Sequence, residues 1–296
     1  MRRLSTVDLM LLATVVIWAL NVTATKYILE HGFKPLAYAA VRYGLAALVF
    51  ATLTLALERS LAVGGRQTLM LIGVAVVAVW ANQVCFVYAL KLTTATSVSL
   101  ILGSVPIFAA LISAALGERL SPRFWLATLI SFGGVALVAL GSGDSLSANA
   151  WGDLIAIGLA ITWAAYSVAI APLMRSYSPY RISSIVLLLM WIPLIAVSAV
   201  QVGRQDYGLS ASVWLLLAFA VLGPLVLTNV LWYTALDRVG PSHATLFANL
   251  QPFIGALFAV WLLSESLSGL QIAGGVAIAA GIMLARRAPV PVEAAQ

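Results

Sequence analysis

The feature that most limits how this chain can fold is the repetition of long apolar runs. A helix needs about 20 mainly apolar residues to cross the roughly 30 Å hydrocarbon core of a bilayer. Runs of about this length recur ten times along the 296 residues. They cover residues 8–29, 36–57, 68–90, 94–116, 123–141, 153–174, 179–202, 212–236, 241–264 and 268–285.

The composition excludes an ordinary water-soluble protein. Hydrophobic residues make up 62% of the chain and charged residues only 9%, and the mean hydropathy is +1.05. A soluble globule does not have this balance. Because the connections between the runs are short, we expect an all-α membrane protein whose function lies inside its helix bundle.

The basic residues predict the orientation of the bundle. If successive loops alternate between the two sides of a membrane, one side receives eleven of the sixteen Lys and Arg residues. The positive-inside rule then places both termini in the cytoplasm. No single basic face forms, so nucleic acid is not an expected partner. The eleven residues are Arg2, Arg3, Arg59, Arg66, Arg119, Arg123, Arg175, Arg181, Arg238, Arg286 and Arg287.

The chain also repeats itself. The stretch "DLMLLATVVIWAL" from Asp8 is echoed 145 residues later by "DLIAIGLAITWAA" from Asp153. A second pair of similar stretches begins at Tyr88 and Tyr233. Five predicted spans separate the partners, and five is odd, so the halves 1–150 and 151–296 are predicted to cross the membrane in opposite senses. Inverted repeats of this kind are typical of secondary transporters.

Two prolines fall near the centres of equivalent spans. Pro106 lies 12 residues into its run and Pro252 lies 11 residues into its own, which is ~16–18 Å along a helix. Each proline frees the carbonyl four residues earlier. Asn249 and Gln251 add amides beside the second break, so we predict a polar cavity there. The alternative is that the prolines only kink packed helices and the amides bond to neighbouring backbones.

Aromatic and amide side chains make up most of the other polar surface predicted inside the bundle. Tryptophan and tyrosine combine a flat apolar face with one donor, and can stack on rings or contact an ammonium group. An interfacial belt is the alternative for such residues, but Trp18 and Trp163 lie ~15 Å from their helix starts. The predicted cavity residues are Trp18, Asn21, Asn82, Tyr88, Pro106, Trp163, Tyr166, Asn229, Tyr233, Asn249, Gln251 and Pro252.

Charged residues are scarce within the spans. Every acidic residue falls at or beyond the end of a run, so no mid-span carboxylate can carry protons. Without a buried acid, a Cys–His pair or a metal cluster, we expect neither an enzyme nor a cofactor. Arg42, about 10 Å deep, has two interpretations: snorkelling to the outer interface or binding a substrate carboxylate. His243 could titrate near neutral pH or be structural.

Three stretches resemble one known family. They are "WALNVTATKYIL", "ALKLTTATSVSLILGSVPIFAALISAALGERLS" and "TALDRVGPSHATLFANLQPFIGAL". They look like the repeated signatures of the EamA branch of the drug/metabolite transporter superfamily, and most resemble its bacterial aromatic amino-acid exporters. The likeness covers nearly the whole chain. One departure is Gln251, which stands where many members carry an acidic residue, and it weakens any expectation of acid-based proton coupling at that site.

The resemblance implies a fold and a function. Ten helices would form two inverted five-helix repeats, with spans one to four and six to nine around a central cavity and spans five and ten at the periphery. The protein would export small metabolites across the bacterial inner membrane. Together with the neutral cavity, this favours aromatic or other neutral amino acids. The alternatives are export of other neutral metabolites or drugs, or channel-like facilitation, by a monomer or a weak homodimer.

Overall fold

A computed structural model describes residues 5–117, 122–141, 148–232, 234–235, 238 and 247–286. Tyr233 and His243, which the sequence places in the predicted cavity and near its edge, lie outside these residues. All regular structure in the described part of the chain is helical. Its α-helices are α1 (Thr6–Glu30), α2 (Pro35–Glu58), α3 (Arg66–Leu92), α4 (Ala95–Leu102), α5 (Val105–Ala115), α6 (Pro122–Leu140), α7 (Ala148–Ile170), α8 (Pro179–Gly203), α9 (Ala211–Val221), α10 (Gln251–Leu263) and α11 (Gly269–Arg286).

The helices correspond to the predicted apolar runs. Among the described residues, seven helical stretches are long and apolar enough to cross a membrane, and α4 with α5 forms an eighth if that bent pair is one span. The apolar helices α10 and α11 are shorter. Residues 241–246, the first part of the ninth predicted run, fall outside the described chain.

Local sequence fixes several helix ends. Ser5 and Asp8 form a capping box at the start of α1, in which each side chain accepts a bond from the other residue's backbone N–H. Helices α2 and α8 both begin with proline. A proline is favoured there because the first turn of a helix has no acceptor for its N–H. These devices set where the chain turns between neighbouring helices.

The second helix of each half packs against its counterpart in antiparallel fashion. Gln201 of α8 accepts a bond from the Leu36 backbone at the start of α2, and near the other end Thr54 bonds Ser184. Arg181 then pairs with Glu58 at 2.9 Å. The order of contacts along α2 is therefore the reverse of the order along α8.

Helices α6 and α11 form a second antiparallel pair, made close by glycine. A Cβ added to Gly134 would lie 2.6 Å from the Gly274 carbonyl oxygen, and one added to Gly274 would lie 2.5 Å from the Gly134 carbonyl oxygen. Further along, Gly281 meets Ser131. Because the missing side chains allow direct backbone contact, these two helices pack at short range.

Polar contacts hold together the end of the bundle opposite the N-terminus. Lys26 donates to the carbonyl oxygens of Leu90 and Thr93, both at 2.8 Å. Glu265, which follows α10, accepts bonds from the backbone N–H groups of Ala95 at 2.8 Å and Thr96 at 2.9 Å. A residue of the second half thus caps the N-terminus of α4 in the first half, where both a carboxylate and a hydrogen-bond acceptor are favoured.

The glycine contact between α6 and α11 gives a stability prediction with a control one residue away. Gly134→Ala should lower the melting temperature, because the new methyl group must push two backbones apart. Gly133→Ala adds a methyl group that meets no atom within 4 Å, so it should leave the melting temperature unchanged or raise it through better helix propensity. Thermal unfolding of the purified protein in detergent measures both, and equal effects would contradict the close contact.

Candidate functional site

Two helices are interrupted just before a proline. Helix α4 ends at Leu102, and α5 leaves at a bend of 41°. In the second half a turn at Asn249 and Leu250 precedes α10. Pro106 and Pro252 are each the second residue of the helix that follows. At both breaks a backbone N–H bonds the carbonyl oxygen three residues earlier. The N–H of Ser104 donates to Ile101 at 2.9 Å, and that of Leu250 donates to Phe247 at 2.9 Å.

The two breaks meet inside the bundle. A Cβ added to Gly103, at the first break, would lie 3.3 Å from the Pro252 ring. One added to Gly255, one turn further along α10, would lie 2.6 Å from Ser99 Oγ of α4. Pro252 is buried and Pro106 is exposed, so the two prolines have different surroundings although they hold equivalent positions along the chain.

A column of polar side chains runs along α1 beside these breaks. Trp18, Asn21 and Thr25 are spaced three and four residues apart, which places them on one helix face. Trp18 Nε1 donates to Thr228 Oγ1 at 2.9 Å, and its ring lies 5.1 Å from that of Trp232. Thr25 bonds the Tyr38 hydroxyl at 2.9 Å. The column therefore faces α2 and the helix that continues α9.

Arg42 of α2 contacts the middle of this column, at Asn21. Its Nη2 donates to Asn21 Oδ1 at 3.2 Å and its Nε donates to the Ala220 carbonyl oxygen at 3.1 Å. Only 3% of the residue is exposed. The guanidinium therefore turns inward to two neighbouring helices, which contradicts the snorkelling interpretation.

Pro224 explains why the Ala220 carbonyl is free to accept this bond. A proline has no N–H to give to the carbonyl four residues earlier, and a π-helical segment, Leu222–Leu227, follows at this point. Such segments often mark functional positions. This break is not among those predicted from the sequence, although Pro224 lies in the middle of the run 212–236 as Pro106 and Pro252 lie in the middle of theirs.

Aromatic rings and not carboxylates surround the guanidinium of Arg42. Its central carbon lies 5.9, 5.3 and 6.0 Å from the ring centroids of Tyr38, Tyr43 and Phe86. No carboxylate of the described residues pairs with it. Two of the acidic residues form ion pairs with other cations, Glu30 with Lys26 and Glu58 with Arg181. The described structure thus holds a buried cation without a counter-ion.

Several predicted cavity residues instead tie helices together. Asn82 donates to the Leu159 carbonyl oxygen of α7 at 3.0 Å, and the Tyr88 hydroxyl accepts a bond from Gln201 at 3.1 Å. Asn229 donates to the Leu225 carbonyl oxygen of its own helix. Asn82 and Tyr88 therefore join neighbouring helices, whereas Asn229 bonds within its own helix.

The remaining predicted residues lie away from Arg42 and from the polar column on α1. Trp163 is 41% exposed and lies 5.4 Å, ring to ring, from the half-buried Tyr166. Asn249 and Gln251 are half-buried at the second break. The structure therefore groups Trp18, Asn21 and Arg42 in one cluster, and Asn249 with Gln251 and Pro252 in another.

Some buried polar side-chain atoms have no hydrogen-bond partner among the described residues. They include Thr23 Oγ1 on α1, Thr96 Oγ1 and Ser99 Oγ on α4, and Gln83 Oε1 on α3. An unpaired buried polar group costs about 1–3 kcal/mol, so such groups usually have water or a ligand as a partner. Helices α1, α3 and α4 therefore carry buried polar atoms that can bond water or a ligand.

Comparison with known proteins identifies related transporters. The model of the EamA-like transporter family matches residues 5–140 and 150–287. The uncharacterized transporter YyaM of Bacillus subtilis is 24% identical over 94% of this chain and 92% of its own length. A probable terminal-alkyne amino-acid exporter of Streptantibioticus cattleyicolor is 24% identical, covering 94% of this chain and 92% of its own. One solved structure has a TM-score of 0.63 at 20% identity, covering 95% of this chain and 96% of that one, which shows the fold alone.

The bond from Trp18 to Thr228 can be tested by a double-mutant cycle. Trp18→Phe and Thr228→Val should each lower stability, and together they should show a coupling of about 0.6 kcal/mol, the average for such bonds between membrane helices. Thr52→Val is the control, because the Thr52 hydroxyl is exposed and bonds only its own helix. Unfolding in detergent measures the coupling, and additive effects of Trp18→Phe and Thr228→Val would contradict the bond.

Proposed function

This chain belongs to the EamA-like transporter family, and from that premise we propose that it exports neutral amino acids, aromatic ones among them, by alternating access. The observation that carries the proposal is the meeting of two interrupted helices inside the bundle. Interrupted helices at matching positions of two halves are typical of the substrate sites of secondary transporters. They supply free backbone groups where a substrate can bind.

The packing of the helices supports an inverted repeat. If each half contributes five spans, α2 corresponds to α8 and α6 corresponds to α11, and both pairs are antiparallel. Helix α3 packs against α7, and its equivalent contact is that of α1 with α9. This is the pattern expected of a pseudo-two-fold axis that relates 1–150 to 151–296. Two units of opposite orientation can exchange conformations and so open to one side at a time.

We further propose ten spans with both termini in the cytoplasm of a bacterial cell. The second of the two matched regions, 150–287, includes the predicted ninth run, whose later part is α10. The excess of Lys and Arg on one set of loops supports the orientation. The inner membrane is the matching location for an exporter of cytoplasmic metabolites.

We propose that two groups of residues line the cavity, Trp18 with Asn21 and Asn249 with Gln251 and Pro252. An indole face, amides and freed carbonyls suit a zwitterion with an apolar side chain. The similarity to a protein named as a probable amino-acid exporter supports the same substrate class. Tyr233 and His243 remain predictions from the sequence.

Counterflow in proteoliposomes is the direct test of this function. Purified protein in vesicles loaded with unlabelled phenylalanine, tryptophan, threonine or methionine should accumulate the same labelled amino acid transiently, and the rate should saturate with concentration. A channel-like facilitator would not show counterflow. If the folded protein gives no counterflow with any of the four, amino-acid transport is contradicted.

The amides at the second break should affect transport more than folding. We expect Gln251→Leu and Asn249→Leu to lower the turnover rate about tenfold, since each removes a polar group from the proposed cavity. Gln67→Leu is the control, because Gln67 is exposed at the start of α3. The measurement is initial counterflow at equal protein content, with melting temperatures to verify folding. Unchanged transport in both amide variants would favour a purely structural role.

A further inference from the structure

We propose that Arg42 binds the carboxylate of the transported molecule, an inference that rests on the proposed function. The starting point is a guanidinium that is 3% exposed and has no carboxylate partner among the described residues. A buried cation without a counter-ion costs several kcal/mol even after relaxation. In a membrane-spanning helix, such a residue usually marks a substrate or ion pathway.

The protein leaves part of the guanidinium unused. Arginine carries five N–H donors, and the described residues accept one bond from Nε and one from Nη2. No other acceptor within the described part of the chain bonds the remaining Nη groups. Two parallel Nη donors match the spacing of a carboxylate's two oxygens. A single arginine suits a carboxylate better than a doubly charged phosphate, which usually needs several basic groups.

The surroundings hold the guanidinium in a defined orientation. The carbonyl that Pro224 frees at Ala220 fixes Nε, and the rings of Tyr38, Tyr43 and Phe86 stabilise the plane of the cation. The unused donors are then held beside Asn21, one turn along α1 from Trp18. Asn21 can also donate its own amide N–H to the same carboxylate. The carboxylate of an amino acid would thus meet Arg42 beside Asn21, and its side chain would meet Trp18 one turn away on α1.

The competing explanation is that Arg42 only fastens α2 to α1 and α9. Its two observed bonds do join these helices, so loss of the side chain would disturb folding in either case. The two explanations differ in what happens when the protein supplies its own carboxylate. A fastening role tolerates an added acid beside Arg42, whereas a substrate anchor is blocked by it.

Asn21→Asp provides this carboxylate with almost no change in shape. Asn21 Oδ1 is already 3.2 Å from Arg42 Nη2, so aspartate should form an ion pair there and keep or raise the melting temperature. If Arg42 is the anchor, the KM for the transported amino acid should rise about tenfold to a hundredfold, because the internal carboxylate competes for the same donors. Unchanged transport by a folded Asn21→Asp protein overturns the proposal.

A second experiment leaves Asn21 unchanged and removes the carboxylate from the substrate. Each of phenylalanine, tryptophan, threonine and methionine that shows counterflow is compared with its carboxamide, which keeps the shape and the ammonium but removes the negative charge. The wild type should prefer the acid by about tenfold or more. Arg42→Gln should abolish this preference and Arg42→Lys should keep part of it. Lys26→Gln is the control, because Lys26 is a partly buried cation that bonds Leu90 and Thr93 at the end of the bundle, away from Arg42.

The outcomes separate this inference from the proposed function. The proposal for Arg42 is overturned if the wild type transports an amino acid and its carboxamide equally well. It is also overturned if Arg42→Gln still prefers the amino acid. Both results leave the transporter function intact. Failure of the wild type to transport any of the four amino acids contradicts the proposed function itself. Loss of the preference in Arg42→Gln together with the raised KM in Asn21→Asp supports both.

Discussion

The structure depends on the need to satisfy backbone polar groups where water is scarce. Each helix bonds its own carbonyl oxygens, except where a proline removes a donor. Pro106, Pro224 and Pro252 create such exceptions, and of these Pro224 and Pro252 are buried while Pro106 is exposed. Pro224 leaves the Ala220 carbonyl oxygen without a backbone donor, and this oxygen accepts a bond from Arg42. The position of the buried cation is therefore set by a missing backbone hydrogen bond.

The close approach of the helices follows from small residues at matching places. Gly103 allows the first break to touch Pro252, and Gly255 allows α10 to reach Ser99. The pair Gly134 and Gly274 does the same for α6 and α11. Lipid chains are as apolar as leucine, so helices in a bilayer gain little from hiding apolar surface. Tight packing at glycine, together with hydrogen bonds between helices, is what remains to hold them in place.

The sequence was sufficient to predict the apolar helices and the two breaks at Pro106 and Pro252, because hydropathy and proline act over short stretches of chain. It did not predict the hydrogen-bond partners of the polar side chains. Asn82 bonds Leu159 and Arg42 bonds Ala220, and such choices depend on which distant helices become neighbours. The depth of Arg42 alone allowed both snorkelling and inward binding, and only the position of α9 decides between them. Pro224 could have been found by the same rule as the other two prolines.

Glu265 has a consequence for how the bundle could separate at the end opposite the N-terminus. Its carboxylate closes the first turn of α4 through Ala95 and Thr96, and it joins the two halves of the chain. When these parts move away from each other, the carboxylate and both amide groups become hydrated together. Water replaces each lost bond with one of similar strength, so the junction can part without the large penalty that exposing an apolar seam would carry. The same junction therefore orders the start of α4 in this structure and can still be broken at a small cost in free energy.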